Sequence, residues 1–221
     1  MTPTVHIVDY GIGNLASLAR AIEAVGARPV AARTAEALAG AESLVLPGVG
    51  AFADCMRALE AHGLADAVRA HAAANKPFLG ICVGMQMLFE TGEEFGEFPG
   101  LGLVGGRVRA LPRVSTAGEP LRVPHIGWTA IAPPAGAAGW TDGPLAPLAP
   151  GACVYFLHSF AAVPADPSDI LAECRFGGHR VTAAIRRGNL FGCQFHPEKS
   201  GAVGLRILEA FAALRPTAET R

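Results

Sequence analysis

Cys82 lies in Gly80-Ile81-Cys82-Val83-Gly84, between the apolar run Pro77-Phe78-Leu79 and the stretch Met85-Gln86-Met87-Leu88-Phe89, which has helical character. A cysteine between glycines where a strand gives way to a helix is the thiol form of a nucleophile elbow. Small neighbours are needed there because the turn is tight and the central side chain must project from strained backbone. A helix start also stabilises a thiolate, through unpaired N–H groups and the helix dipole. In that geometry the Val83 N–H points to where an oxyanion develops when the sulfur attacks a carbonyl. The pattern implies nucleophilic acyl chemistry, which needs a base.

Phe195-His196-Pro197-Glu198 supplies a candidate base, directly after the strand-like Leu190-Phe191-Gly192-Cys193-Gln194. Pro197 pushes His196 into an extended conformation. Residues two apart in extended chain point the same way, so His196 and Glu198 are expected to face one neighbour together. A carboxylate beside an imidazole fixes its tautomer and supports the imidazolium formed when it takes a thiol proton. A third segment, Pro47-Gly48-Val49-Gly50, follows the apolar Leu44-Val45-Leu46 and could add a second oxyanion N–H, from Val49. Taken singly, each segment also fits a buried thiol, a structural histidine or a plain glycine turn; their coincidence in one chain points to chemistry.

The elements that must position these residues follow from hydrophobic periodicity. Val5–Val8, Pro29–Ala32, Ser43–Leu46 and Pro77–Ile81 read as strands, and the apolar spacing of Asn14–Val25 and Leu59–Ala74 reads as helices, the first closed by Gly26. Strand and helix thus alternate through the first ninety residues, the signature of a parallel sheet with helices on both faces. Leu103–Val108, Val154–Phe160, Ile170–Arg175, Val181–Arg186 and Leu190–Phe195 are closely spaced strand candidates, expected to add antiparallel strands to that sheet. A closing helix is expected over Gly201–Leu214, and irregular chain over the Pro- and Gly-rich Ala132–Gly151. The expectation is one α/β domain over residues 1–221, with an open, mixed but mostly parallel sheet. Active sites in such folds lie at the carboxyl edge of the strands, where three distant segments can meet.

Composition narrows the function classes. The formal net charge is −1 with no basic run, which argues against nucleic-acid binding. No run of about 18 apolar residues suggests a membrane span, and Met1–Val8 lacks the basic and long apolar segments of a secretory leader. Cys55, Cys82, Cys153, Cys174 and Cys193 form no CxxC pair, as expected in a reducing cytoplasm. Neither metal nor cofactor is expected, because no histidine or cysteine pair has ligand spacing.

With these residues in view, the chain resembles the class I (triad-type) glutamine amidotransferases, of flavodoxin-like fold. Within them it is similar to the glutaminase subunits of imidazole glycerol phosphate synthase. The resemblance spans nearly the whole chain, from Asp9-Tyr10-Gly11-Ile12-Gly13-Asn14 and Pro47–Phe52 through Gly80–Gln86. It continues in Pro124-His125-Ile126-Gly127-Trp128, Tyr155–Phe160 and Gln194–Ser200. It implies a catalytic triad of Cys82, His196 and Glu198 acting on L-glutamine. It also implies oxyanion or substrate contacts from Val49, Gly50, Val83, Gln86, His158, Ser159 and Phe160. The implied partner is a (β/α)8-barrel cyclase subunit of histidine biosynthesis, forming a heterodimer with Asn14 and Trp128 at the interface. For Trp128 a core position is the other option. A glutaminase serving a chorismate-using synthase (anthranilate or aminodeoxychorismate type) and a catalytically silent scaffold subunit remain open alternatives. The chain departs from the family's usual residues at Val83, at Thr129, where Asn is common, and in His158-Ser159-Phe160, which lacks an aromatic hydroxyl.

Overall fold

The computed structural model describes residues 2–137 and 139–215. The first half alternates as its periodicity predicts: β1 Thr4–Val8, α1 Leu15–Ala24, β2 Arg28–Ala32, α2 Ala35–Ala39, β3 Leu44–Leu46, α3 Phe52–Ala61, α4 Ala65–Ala73 and β4 Phe78–Ile81. Asn14 caps α1 by accepting the Ser17 N–H (3.3 Å), and the helix turns Leu18, Ala21 and Ile22 into the core. Gly26, at φ +76°, lets the chain turn out of the helix. The predicted helix over Leu59–Ala74 is two helices. Gly63 sits between them at φ +67°, left-handed backbone that an α-helix cannot contain.

β1 pairs in parallel with β2 and β3, and β3 with β4. The β1–β2 crossover runs one way along the sheet, whereas the chain from β2 must pass β1 to reach β3. Right-handed crossovers then put α1 on one face and α2, α3 and α4 on the other. The packing agrees: α2 lies against α4, and α1 against the closing helix α6, Gly201–Ala213. Between β1 and β3 is a topological switch point, the place where ligands enter such sheets.

After β4 come α5 Val83–Gln86, β5 Phe89–Gly92, β6 Phe98–Pro99, β7 Val104–Ala110, β8 His125–Ala132, β9 Cys153–His158, β10 Phe160–Pro164, β11 Ile170–Phe176, β12 His179–Arg187 and β13 Leu190–Cys193. The main sheet has nine strands in the order β2-β1-β3-β4-β13-β12-β11-β8-β9, parallel as far as β13 and antiparallel beyond it. Three expectations are corrected. The Leu103–Val108 strand does not join this sheet; as β7 it belongs to a second one of order β10-β7-β5-β6. The single strand expected over Val154–Phe160 is broken at Ser159, so β9 closes the main sheet and β10 enters the small one. The helical stretch expected from Met85 to Phe89 is also shorter, ending at Gln86 before β5 begins.

Among the described residues, no helix is long and apolar enough to cross a membrane. Strands β3, β4 and β13 are buried along their whole lengths, so they form the centre of the sheet. Their register decides the site. Leu46 lies beside Gly80, and Cys193 beside Ile81. The residues that follow, Pro47–Gly50, Cys82 and Gln194–His196, therefore leave the sheet side by side at its carboxyl edge.

Candidate active site

Cys82 has φ +56° and ψ −114°, a conformation in which a side-chain-bearing residue is strained by about 1–3 kcal/mol. Its N–H donates to the Cys193 carbonyl (2.8 Å), and its own carbonyl accepts from Met85 and Gln86 (3.1 and 3.2 Å). The strand bond on one side and the first turn of α5 on the other hold the strain in place. Val83 supplies the first N–H of α5, at an end where a helix has no internal acceptors.

The glycines around the elbow are there because no side chain fits. A Cβ on Gly80 would lie 2.8 Å from Met85 Cα, one on Gly48 would lie 2.6 Å from Gly84 N, and one on Gly84 would fall onto the Leu46 carbonyl oxygen. Elbow and Pro47–Gly50 loop thus touch backbone to backbone. Gly84→Ala is expected to cost about 2–3 kcal/mol of stability, the usual price of overpacking. A urea midpoint unchanged from that of the unsubstituted chain would show that these backbones part in solution.

His196, 4% exposed, faces the Cys82 thiol across one cleft, and its Nδ1–H donates to Glu198 Oε1 (2.9 Å). The extended run expected to carry both residues ends at His196 (φ −104°, ψ +99°), because Pro197–Lys199 form a 3-10 turn. Glu198 reaches the ring by curling back over that turn rather than by strand alternation. Ser200 braces the arrangement: its hydroxyl donates to the His196 carbonyl (2.7 Å) and accepts the Tyr155 N–H (2.9 Å). Burial works against a charged His196 ring. Interactions with Cys82 and Glu198 outweigh it and push the imidazole up to about 9. By contrast, burial keeps Cys55, Cys174 and Cys193 as thiols, pushing the first two up to about 11 and about 12.

The cleft, of about 240 Å³, is lined by Val49, Gly50, Cys82, Val83, Gln86, His158, Ser159, Phe160 and His196. Every substrate or oxyanion position expected from the sequence is therefore on its wall. Glu198 stands behind His196 and opens onto a separate hollow of about 20 Å³ shared with Asn14. Trp128 is elsewhere: it lies on β8, 56% exposed, edge-on to Tyr155 with ring centroids 6.1 Å apart. That exposure removes the core option for this tryptophan.

Four residues of the site escaped sequence reasoning. Glu94 lines the cleft, and its Oε2 accepts the Phe52 N–H (2.8 Å) at the start of α3, where Ala51 has no side chain to cap with. Tyr10 donates to the Pro47 carbonyl (2.7 Å) and Cys55 to the Val49 carbonyl (3.2 Å), so two buried side chains pin the loop opposite the elbow. Gln194, fully buried, donates to Cys82 Sγ (3.8 Å) and accepts from Gln86 Nε2 (3.0 Å). Only Gln194 carried a signal, as a polar residue ending an apolar strand. The rest depend on loops that no local pattern places.

A strained cysteine facing an imidazole–carboxylate pair, in a cleft that also carries Glu94 and Lys199 on its wall, is fitted to nucleophilic acyl chemistry on a small substrate. The family model "Glutamine amidotransferase class-I" matches residues 6–213 of the sequence. The chain belongs to this family. Within it, the chain belongs with the HisH subunits. It is 42% identical over 208 residues to imidazole glycerol phosphate synthase subunit HisH 1 of Legionella pneumophila (strain Lens), covering 94% of this chain and 98% of that one. It is 46% identical over 220 residues to the HisH subunit of Rhodospirillum rubrum, covering 96% and 99%. Among solved structures it is similar to PurLQS from Thermotoga maritima, with TM-score 0.71 and 20% identity over 96% of this chain and 98% of the other. That likeness bears on the fold alone. The amidotransferase is thus an enzyme of the glutaminase type, carrying the α/β fold of its class.

Proposed function

We propose that residues 1–221 act as a single-domain glutaminase subunit of an imidazole glycerol phosphate synthase, in the cytoplasm, with Cys82, His196 and Glu198 as its triad. The observation that carries this reading is the strained Cys82 facing an imidazole whose other nitrogen is bonded to Glu198 at 2.9 Å. The Cys82 sulfur attacks Cδ of L-glutamine, and the C–N bond breaks as His196 protonates the leaving nitrogen. Water, deprotonated by His196, then adds to the γ-glutamyl thioester; the C–S bond breaks, releasing glutamate and the thiol. The Val83 N–H and the Val49–Gly50 backbone hold the oxyanion. Gln86 and the backbone of His158, Ser159 and Phe160 line the wall where substrate binds. Glu94 offers the negative charge that the substrate's α-ammonium requires.

The ammonia passes to a (β/α)8-barrel cyclase in a heterodimer, for use in histidine biosynthesis. Exposed Ile126 and Trp128 on β8 and Asn14 beside the Glu198 hollow form the proposed contact face. The test is glutamate release by the chain alone, with a barrel cyclase, and with that cyclase plus its nucleotide ligand. Hydrolysis that rises on adding both is the expected result. No hydrolysis under any condition, or stable co-purification with a chorismate-using enzyme instead, would overturn the reading.

A further inference from the structure

A chain of partly to fully buried side-chain hydrogen bonds runs from β8 to the cleft wall, and the mechanism above uses only its last members. Thr129 Oγ1 is 2.8 Å from His125 Nε2, His125 Nδ1 is 3.1 Å from His158 Nε2, and His158 Nδ1 is 2.9 Å from the Phe160 carbonyl. The same carbonyl accepts Gln86 Nε2 (3.0 Å), which also reaches Gln194 and through it the Cys82 sulfur. The β8–β9 register makes this possible by placing His125 directly opposite His158.

The chain has one allowed polarity. A carbonyl oxygen can only accept, so His158 Nδ1 must donate to Phe160. Burial holds His158 down at about 4 and lowers His125 too, so both rings are neutral, with one donor and one acceptor each. His158 Nε2 is then an acceptor, His125 Nδ1 its donor, and His125 Nε2 an acceptor for the Thr129 hydroxyl. Reversing either tautomer would set two lone pairs against each other, at the His–His contact or at the Phe160 carbonyl. His125 is fixed laterally by stacking on Phe156, with ring centroids 4.8 Å apart and an interplanar angle of 17°. Such a network selects a single arrangement of the groups it ends on.

We propose that Thr129 and His125 are positioning residues for glutamine: acting through His158, they fix the Phe160 carbonyl and the Gln86 amide that it accepts. Neither residue lines the cleft, so neither touches substrate. The inference rests on the glutaminase reading of that cleft.

The test compares glutamine KM and kcat for the full chain assembled with the barrel cyclase. Thr129→Val keeps the branched shape and removes the donor; Thr129→Ser restores the hydroxyl. His125→Phe keeps the stacking on Phe156 and removes the donor to His158. The two donor-less variants should raise KM about threefold to tenfold, the range for one lost hydrogen bond. Their kcat should change by less than about twofold, and Thr129→Ser should stay near the unsubstituted enzyme in KM. Loss of folded protein would instead lower apparent kcat at constant KM. If His125→Phe does not fold, the threonine pair still decides the matter. An unmoved KM in Thr129→Val, or a Thr129→Ser enzyme as impaired as Thr129→Val, would overturn the relay. Absence of glutamine hydrolysis by the unsubstituted chain would overturn the glutaminase reading itself.

Discussion

Cys82→Ala should lower glutamine-dependent turnover by about 10⁴-fold or more, because the thioester route has no other nucleophile. The remaining cysteines cannot substitute. Cys55 and Cys193 are buried thiols, pushed up by burial, and Cys55 is committed to the Val49 carbonyl. The substitution should be mild structurally. The alanine methyl fills the root of the Cys82 side chain, and the bonds holding the elbow, Cys82 N–H to Cys193 and Met85 N–H to the Cys82 carbonyl, are main-chain bonds that alanine can make. The strained φ of +56° is as accessible to alanine as to cysteine. Synthesis from free ammonium salts by the assembled complex should therefore survive while synthesis from glutamine disappears. Measuring both with the same preparation separates chemistry from assembly. Loss of both activities would contradict the division of labour between two subunits, and retention of both would remove Cys82 from the reaction.

How far the site was legible depends on where its information resides. Cys82 and His196 were readable because each sits in a short motif with a local physical reason: glycines flank the tight turn, and proline follows the extended histidine. The central strands were readable for a similar cause, since β3, β4 and β13 are buried throughout and appear as short apolar runs. β8 was not. Gly127 interrupts it and exposed Ile126 and Trp128 alternate with inward His125 and Thr129, so burial at His125 comes from tertiary packing on Phe156 and Phe176. Glu94 was invisible for the same reason. A glutamate two residues beyond the end of β5 has no local mark of a binding role; the second sheet brings it over the N-terminus of α3. The second sheet itself was missed because strand periodicity indicates which residues face a core but not which sheet a strand joins.

Glu198→Gln should reduce kcat by about 10²–10³-fold, less than loss of the nucleophile, because an orienting group is less essential than the attacking atom. The isosteric amide must turn its oxygen toward the His196 Nδ1–H, since two donors cannot face each other. Its NH₂ then takes the place of Oε2, a buried atom with no hydrogen-bond partner among the described residues. The variant therefore gains an unsatisfied donor, at about 1–3 kcal/mol, and loses the charge that supports the imidazolium. Removing that charge should bring the His196 titration down from about 9, followed by ring-proton NMR. The sign of the stability effect follows. A ring raised above its ordinary 6.5 contributes stability that is fully present below that pH and is lost as pH rises through about 9. The stability gap between the unsubstituted chain and Glu198→Gln should therefore be widest below about pH 6.5 and narrow toward pH 9. A kcat equal to that of Cys82→Ala would give Glu198 a part in proton transfer itself. An unchanged kcat, with His196 still titrating near 9, would leave the Glu198 bond at 2.9 Å as a structural contact and assign the elevation of the ring to Cys82 alone.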